Sequence, residues 1–143
     1  MGEIIGLKAT IHTLNKLPET YAKERKKALK RAAKPLVSRI KKNLTKVYST
    51  KDRDKARRTG NLRKSIKILS HIKNKAITYV GPNLKKGKGA RGPHAHWLEF
   101  GTVKETAKPY MKPAFDATKK QVANILEEQT RLILRGYKAK YER

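Results

Sequence analysis

Residues 21–47, YAKERKKALKRAAKPLVSRIKKNLTKV, decide the fold of this chain. Together with Pro18, a residue suited to a first helical position, the stretch predicts one amphipathic helix over 18–48, about 45 Å long. Pro35 lies inside it, where a lost hydrogen bond and a ring clash cost about 3 kcal/mol, so we expect a kink or a split near 31–34. The apolar positions recur at steps of three and four, the period of a helix with one buried face: Tyr21, Ala22, Ala28, Leu29, Ala32, Ala33, Leu36, Val37, Ile40, Leu44 and Val47.

The polar face of this helix is almost uniformly basic. Between residues 23 and 58, sixteen Lys and Arg stand against Glu24, Asp52 and Asp54, a net charge of +13. The whole chain of 143 residues has 37 Lys and Arg against 11 Asp and Glu, a net of +26. A composition of 37% hydrophobic residues with regular spacing is not that of a disordered tail. We therefore expect a folded protein whose charge meets either a polyanion or acidic protein neighbours.

Length and composition exclude several classes of protein. A chain of 143 residues predicts one domain over 1–143. It has no cysteine, which excludes disulfides, thiolate zinc sites, iron–sulfur clusters and a cysteine nucleophile. No apolar run reaches the roughly 18–20 residues that cross a bilayer, and 1–17 lacks the pattern of a signal peptide, so we expect no contact with a membrane.

The rest of the sequence predicts an α+β fold with a small antiparallel sheet. Residues 1–17 are expected to form an arm, a short strand or irregular, followed by the start of a helix, and 49–63 a basic loop. Alternating residues predict a β-hairpin over 64–82, with strands at 64–72 and 76–80 around a turn at 73–75. A flexible Gly/Lys loop follows at 83–93, then a strand region at 94–107, for which a short helical turn is the alternative. A helix over 112–135, stopped by Gly136, precedes a tail at 136–143.

Candidate catalytic and metal-binding residues are few. On a strand, His94 and His96 would project to one face, and with Glu99 they could hold zinc. A metal site needs at least three converging ligands, and nothing in the sequence fixes the distance of the other two histidines, His12 and His71, so we expect loop or interface residues instead. Glu99 could act as a general acid or base, but a structural role as partner of a nearby cation is favoured. We expect no catalytic residue, metal or cofactor.

The basic residues are the stronger candidates for a binding surface. The Gly/Lys loop lacks the spacing of a phosphate-binding P-loop and is better suited to touching a nucleic-acid backbone without sequence preference. An ordinary solvated helix face mixes charges of both signs, whereas this one does not. The candidate DNA-proximal residues are Lys26, Lys27, Lys30, Arg31, Lys34, Arg57, Arg58, Lys85, Lys86, Lys88 and Arg91.

Three segments in order carry a family resemblance: RTGNLRKSI (58–66), HWLEFGT (96–102) and KPYMKPAF (108–115), with VGP (80–82) between the first two. Over about residues 18–135 the chain resembles the neck or tail-completion proteins of tailed bacteriophages, whose type member is the gene-ten product of a lambdoid siphophage. The matching signature positions, which serve as scaffold and interface residues in that family, are Thr59, Gly60, Leu62, Glu99, Phe100, Gly101, Thr102, Pro109 and Pro113.

The resemblance implies a structural virion protein of the head–tail junction with no enzymatic activity, assembled in the host cytoplasm. It implies a homo-oligomeric ring, expected to be hexameric, through which double-stranded genomic DNA passes. The implied neighbours are head-closure or adaptor proteins and tail-terminator or tail-tube proteins.

Two other functions stay open from the residues alone. The charge of +26 fits a cellular protein that binds nucleic acid without sequence preference. A small basic nuclease or toxin using His94, His96 and Glu99 is a remote alternative.

Overall fold

The computed structural model describes residues 10, 12, 16, 19–47, 62–70, 77–83 and 92–141. A 3₁₀ turn, Glu19–Tyr21, leads into helix α1, Ala22–Val47. Strands β1, Ile66–Ser70, and β2, Thr78–Pro82, form the sheet. Helix α2, Gly92–Phe100, and helix α3, Met111–Tyr141, follow. The predicted α+β class with an antiparallel hairpin and long helices is confirmed.

Helix α1 has 26 residues and begins four residues later than the sequence predicts. It runs through Pro35 as one helix, so a split near 31–34 is wrong, while the alternative of a kink stays a prediction. The cost of Pro35 is offset because α1 buries apolar residues on both sides of it, Ala32 and Ala33 before and Ile40 and Leu44 after. Within the expected arm, positions 10, 12 and 16 are helical.

The hairpin lies within the predicted range, but β1 is shorter than the predicted strand 64–72, and β2 has the predicted five residues two positions later. β1 and β2 are antiparallel, and the register pairs Ile66 with Pro82 and Ser70 with Thr78. Residues 62–65 are helical, so the end of the expected loop and the start of the expected strand form a helical turn instead. Its Ser65 carbonyl accepts from the Asn83 N–H at 2.9 Å. The predicted turn at 73–75 and most of the basic loop, 49–61, lie outside the described residues.

The segment 92–100 corrects the sequence prediction most clearly. The expected strand region 94–107 contains helix α2 up to Phe100, and 101–107 holds no strand. Ala95 and Leu98, three positions apart, are both buried, which a helix achieves and an alternating strand does not. Positions 92 and 93 of the expected Gly/Lys loop belong to this helix, and 84–91 lie outside the described residues.

Helix α3 is 31 residues long and does not stop at Gly136. The predicted end is wrong because tertiary contact continues past the glycine: the Tyr137 ring packs edge-on against Tyr21, with centroids 5.6 Å apart. The expected tail is therefore helical to Tyr141. α3 runs antiparallel to α1, since Arg31 bonds to Gln129 and Asn43 to Tyr110.

Two apolar clusters hold these elements together. One lies between the helical turn, the hairpin and all three helices and consists of Ile40, Leu44, Leu62, Ile66, Ala95, Leu98, Tyr110 and Ala114. The other, built on Ala32 and Leu126, joins the start of α1 to the middle of α3. No helix in the described ranges is long and apolar enough to cross a membrane.

Candidate functional site

The sequence segments 96–102 and 108–115 meet in what we call the α2–α3 joint, residues 98–113. α2 ends where Gly101 adopts φ +79°, and the Gly101 N–H donates to the Trp97 carbonyl at 2.8 Å. This left-handed residue after a helix is the usual place for glycine. A Cβ at this position would lie 2.8 Å from the Ala107 backbone nitrogen. Only glycine fits both the dihedral angle and the space.

Thr102 closes the loop that follows. Its N–H donates to the Glu105 carbonyl at 2.8 Å, and its hydroxyl oxygen accepts from the N–H groups of Lys104 and Glu105 at 3.2 and 3.0 Å. The Lys108 N–H then donates to the Leu98 carbonyl at 2.9 Å. A side-chain oxygen that serves nearby backbone donors favours a tight turn, so the chain returns to α2 before α3 begins.

Glu99 caps the N-terminus of α3 from the neighbouring helix. Its Oε2 accepts from the N–H groups of Tyr110 and Met111 at 2.7 and 2.9 Å, and its Oε1 from that of Lys112 at 2.9 Å. The next residue is Pro113, which has no N–H. All donors that the first turn of a helix leaves unpaired are thereby accounted for, and the carboxylate lies at the positive end of the helix dipole.

The joint is fixed to α1 through Tyr110, which is fully buried. Its carbonyl accepts from Asn43 Nδ2 at 3.1 Å, and its hydroxyl donates to the Ala95 carbonyl at 3.4 Å. Burial, with a smaller effect of the Glu99 charge, raises the pKa of Tyr110 to about 12. We did not identify Asn43 or Tyr110 from the sequence. The available signal was the aromatic residue between Pro109 and Pro113, two residues that fix the backbone around a helix start.

The second candidate surface is the basic face of α1. Helix α1 carries eleven Lys and Arg against Glu24 alone, a net charge of +10. Five predicted DNA-proximal residues are exposed along it, and Arg31 Nη1 also donates to Gln129 Oε1 on α3 at 2.7 Å. These five are Lys26, Lys27, Lys30, Arg31 and Lys34. The other predicted members lie outside the described residues: Arg57, Arg58, Lys85, Lys86, Lys88 and Arg91.

Comparison with protein-family models gives one match, over residues 8–101, to the family described as "Bacteriophage HK97-gp10, putative tail-component". The chain belongs to this family. The matched range spans α1, the hairpin and α2, and ends at Gly101 within the joint. No curated protein matches the chain significantly. No solved structure does either.

Membership of the HK97-gp10-like family confirms the resemblance stated from the sequence. A tail component is located in the virion and contacts other virion proteins, and a tail family indicates a structural rather than an enzymatic role. The residues expected to be signature positions lie in different parts of this fold, and Thr102, Pro109 and Pro113 follow the matched range. Leu62 is buried in the core cluster, while Glu99, Gly101, Thr102 and Pro113 build the joint. Thr59 and Gly60 lie outside the described residues.

Four large apolar side chains in the joint or close to it in sequence are exposed. Phe100 is 69% exposed, Trp97 53% and Phe115 48%, and Val103 is fully exposed. The rings of His96 and Phe100 lie 4.7 Å apart. Large apolar side chains left in water next to a rigid joint are typical of surfaces that contact another protein.

The metal and catalytic alternatives lose their geometric basis in this structure. The helical backbone at 92–100 removes the strand alternation on which the proposed pairing of His94 with His96 rests. Both Glu99 oxygens are already bonded to backbone N–H groups, so the carboxylate pairs with amides rather than with the cation that we expected. The described part of the chain contains no group of three side chains that could hold a metal ion.

Proposed function

We propose that this protein is a structural component of the phage head–tail junction, a neck or tail-completion protein that joins the DNA-filled head to the tail. In this proposal the protein forms a ring of six copies around the DNA channel. Its neighbours are head-closure or adaptor proteins on one side and tail-terminator or tail-tube proteins on the other. It is a single domain that assembles in the host cytoplasm and has no catalytic activity.

The observation that carries the proposal is the basic face of α1 in a protein of a tail-component family. The eleven cations of this helix repel one another with only one carboxylate among them, and negative charge beside them in an assembly relieves that repulsion. Genomic DNA is the largest polyanion in the virion, with one negative charge per about 1.7 Å of its axis. A position around the DNA therefore explains the charge better than a position on the outside of the tail.

The exposed side chains beside the joint support the ring. Trp97, Phe100 and Phe115 are held on the rigid α2–α3 joint and are about half exposed or more. Aromatic residues of this kind are enriched where protein subunits meet. We assign them to the contact between neighbouring copies, which leaves α1 to face the channel.

Electron cryomicroscopy of the intact virion tests the position and the ring together. We expect density for α1 and α3 in a six-fold ring between head and tail tube, with α1 on the inner side. Density for the protein only at the distal end of the tail, or none in the virion, would contradict the proposal. A ring of another copy number would contradict its hexameric part alone.

A further inference from the structure

A basic groove runs between α1 and α3, about 760 Å³ in volume and open to solvent. Four cationic residues of α1 line it: Arg31, Lys34, Arg39 and Lys42. Arg31 with Lys34 and Arg39 with Lys42 are pairs three positions apart, the spacing of neighbours on a helix surface. Sequence reasoning named the first two and missed Arg39 and Lys42.

The four groove cations are exposed, and one of them, Arg31, also donates to Gln129. Among the described residues, the groove lining contains no carboxylate. The ion pairs seen in the described ranges lie elsewhere, at Glu19 with Arg25, Asp116 with Lys119 and Glu127 with Arg131. A concave surface with four positive charges and no negative one attracts an anionic ligand.

The lining of the groove also contains apolar and amide groups, which a site for phosphate alone does not need. Pro35, Ala117 and Ile125 contribute apolar surface. The exposed Gln121 carries an amide that can both donate to and accept from a peptide backbone. Phosphates need donors and positive charge, whereas this lining also offers a place for an apolar side chain and for a peptide group.

The dimensions of the groove also favour a peptide. From Arg31 to Lys42, α1 rises about 16 Å, the length of roughly five residues of extended chain. Packed helices have axes about 8–10 Å apart, while the major groove of a DNA duplex alone is wide enough to admit a whole α-helix. A duplex can touch the rim of such a groove and cannot enter it. An extended peptide can lie along its floor.

We infer that this groove binds an extended acidic segment of a neighbouring protein, about five residues that combine carboxylates with an apolar side chain. The carboxylates pair with Lys34, Arg39 and Lys42, and the apolar side chain lies on Ile125. The inference goes beyond the proposed junction role, because it assigns the DNA-facing charge to one part of α1 and a protein contact to another.

Two variants with the same loss of charge on the same helix test it. The groove variant is Lys34→Ser, Arg39→Ser and Lys42→Ser, and the control variant is Lys26→Ser, Lys27→Ser and Lys30→Ser. The probes are a fluorescein-labelled octapeptide of Asp and Glu with two Leu, the same peptide with Ser in place of Leu, and a labelled 20-base-pair duplex. Binding of each probe to the full chain is measured by fluorescence anisotropy at a fixed salt concentration, after circular dichroism has shown that both variants keep their helices.

We expect the groove variant to bind the Leu-containing peptide at least tenfold more weakly than the natural protein does. The affinity of the control variant for this peptide should fall by no more than threefold. The serine peptide is expected to bind several-fold more weakly than the leucine peptide. For the duplex, the control variant should lose more affinity than the groove variant, because the inference places the DNA contact at Lys26, Lys27 and Lys30. These measurements use isolated protein and do not depend on its position in the virion. A negative binding result would therefore not contradict the junction role, and loss of the junction role would not contradict peptide binding.

Three outcomes would overturn the inference. Equal loss of peptide binding in both variants would mean that only net charge matters. A loss of duplex binding confined to the groove variant would mean that the groove holds phosphates. Equal binding of the leucine and serine peptides would show that the apolar floor takes no part.

Discussion

At the scale of single residues, the joint depends on side chains that each meet a local requirement of the backbone. Glu99 supplies acceptors for three N–H groups, Pro113 removes a fourth, and Gly101 takes a dihedral angle that other residues avoid. The sequence pointed to these positions through the family resemblance. Their roles could not be predicted, because the donors that Glu99 serves lie 11–13 positions away along the chain.

Replacing Glu99 tests the cap. Glu99→Ala removes three hydrogen bonds to an ionised acceptor and leaves the first turn of α3 without partners, so we expect the free energy of unfolding to fall by about 2–3 kcal/mol. Glu99→Gln keeps an acceptor but loses the charge, and should cost about half as much. Urea denaturation followed by circular dichroism gives both values. Glu128→Ala, at an exposed carboxyl within α3, is the control and should change stability by less than about 0.5 kcal/mol. A cost for Glu99→Ala as small as that of the control would show that the cap contributes nothing.

Two glycines are expected to respond to the same substitution with opposite signs. At Gly101, alanine must adopt φ +79° and its Cβ meets the Ala107 backbone at 2.8 Å, so Gly101→Ala should destabilise the fold by about 2 kcal/mol. Gly136 lies inside α3 with nothing within 4 Å of a Cβ, so Gly136→Ala should stabilise by up to about 1 kcal/mol. The melting temperatures of the two variants, measured by thermal unfolding, test both expectations. Shifts of the melting temperature in the same direction would contradict this interpretation.

At the scale of elements, the spacing of apolar residues predicted the long helix α1 correctly and failed for the short helix α2. The stripe of α1 gave the helix and its buried face because it repeats over seven turns. α2 has only nine residues, too few for a helical period to stand out from a short apolar strand, and its identity comes from the packing of Ala95 and Leu98 in the core. The sequence predictions at Pro35 and Gly136 considered only the free-energy cost of each residue within a helix. In the structure, packing of α1 against α3 and the contact of Tyr137 with Tyr21 stabilise continuous helices through both positions.

Tyr110 joins three helices and gives the fold a dependence on alkaline pH. Its pKa is about 12 in the folded protein and about 10 when unfolded, so the folded state keeps a proton that the unfolded chain releases between these values. The stabilisation is complete below pH 10 and is lost as the pH rises toward 12, by at most about 3 kcal/mol. We expect urea denaturation of the natural protein to show a steeper fall of stability between pH 10 and 11.5 than that of Tyr110→Phe.

Absorbance at 295 nm provides an independent measurement of the same group. Of the six tyrosines, one should titrate last in the natural protein, and this late step should be absent from Tyr110→Phe. The interpretation would be contradicted if the natural protein and Tyr110→Phe lost stability equally with rising pH and neither showed a late titration step. Tyr110 would then not be buried as the structure describes.

At the scale of the whole molecule, charge and family membership have to be explained together. A net charge of +26 alone fits many nucleic-acid-binding proteins, and a tail-component family alone does not specify a place in the virion. The sequence indicated both and could not separate contacts with DNA from contacts with acidic proteins, because the two helices that form the groove meet only in the folded chain. We propose a separate surface for each kind of contact, with the part of α1 around Lys26, Lys27 and Lys30 for DNA and the groove between α1 and α3 for protein.

Electron microscopy of lysates from a phage that lacks this gene tests the junction role most directly. We predict DNA-filled heads and separate tails that do not join into infectious particles, and recovery of joined particles when the protein is supplied from a plasmid. A normal yield of infectious, fully joined virions in the absence of the protein would contradict the proposed function.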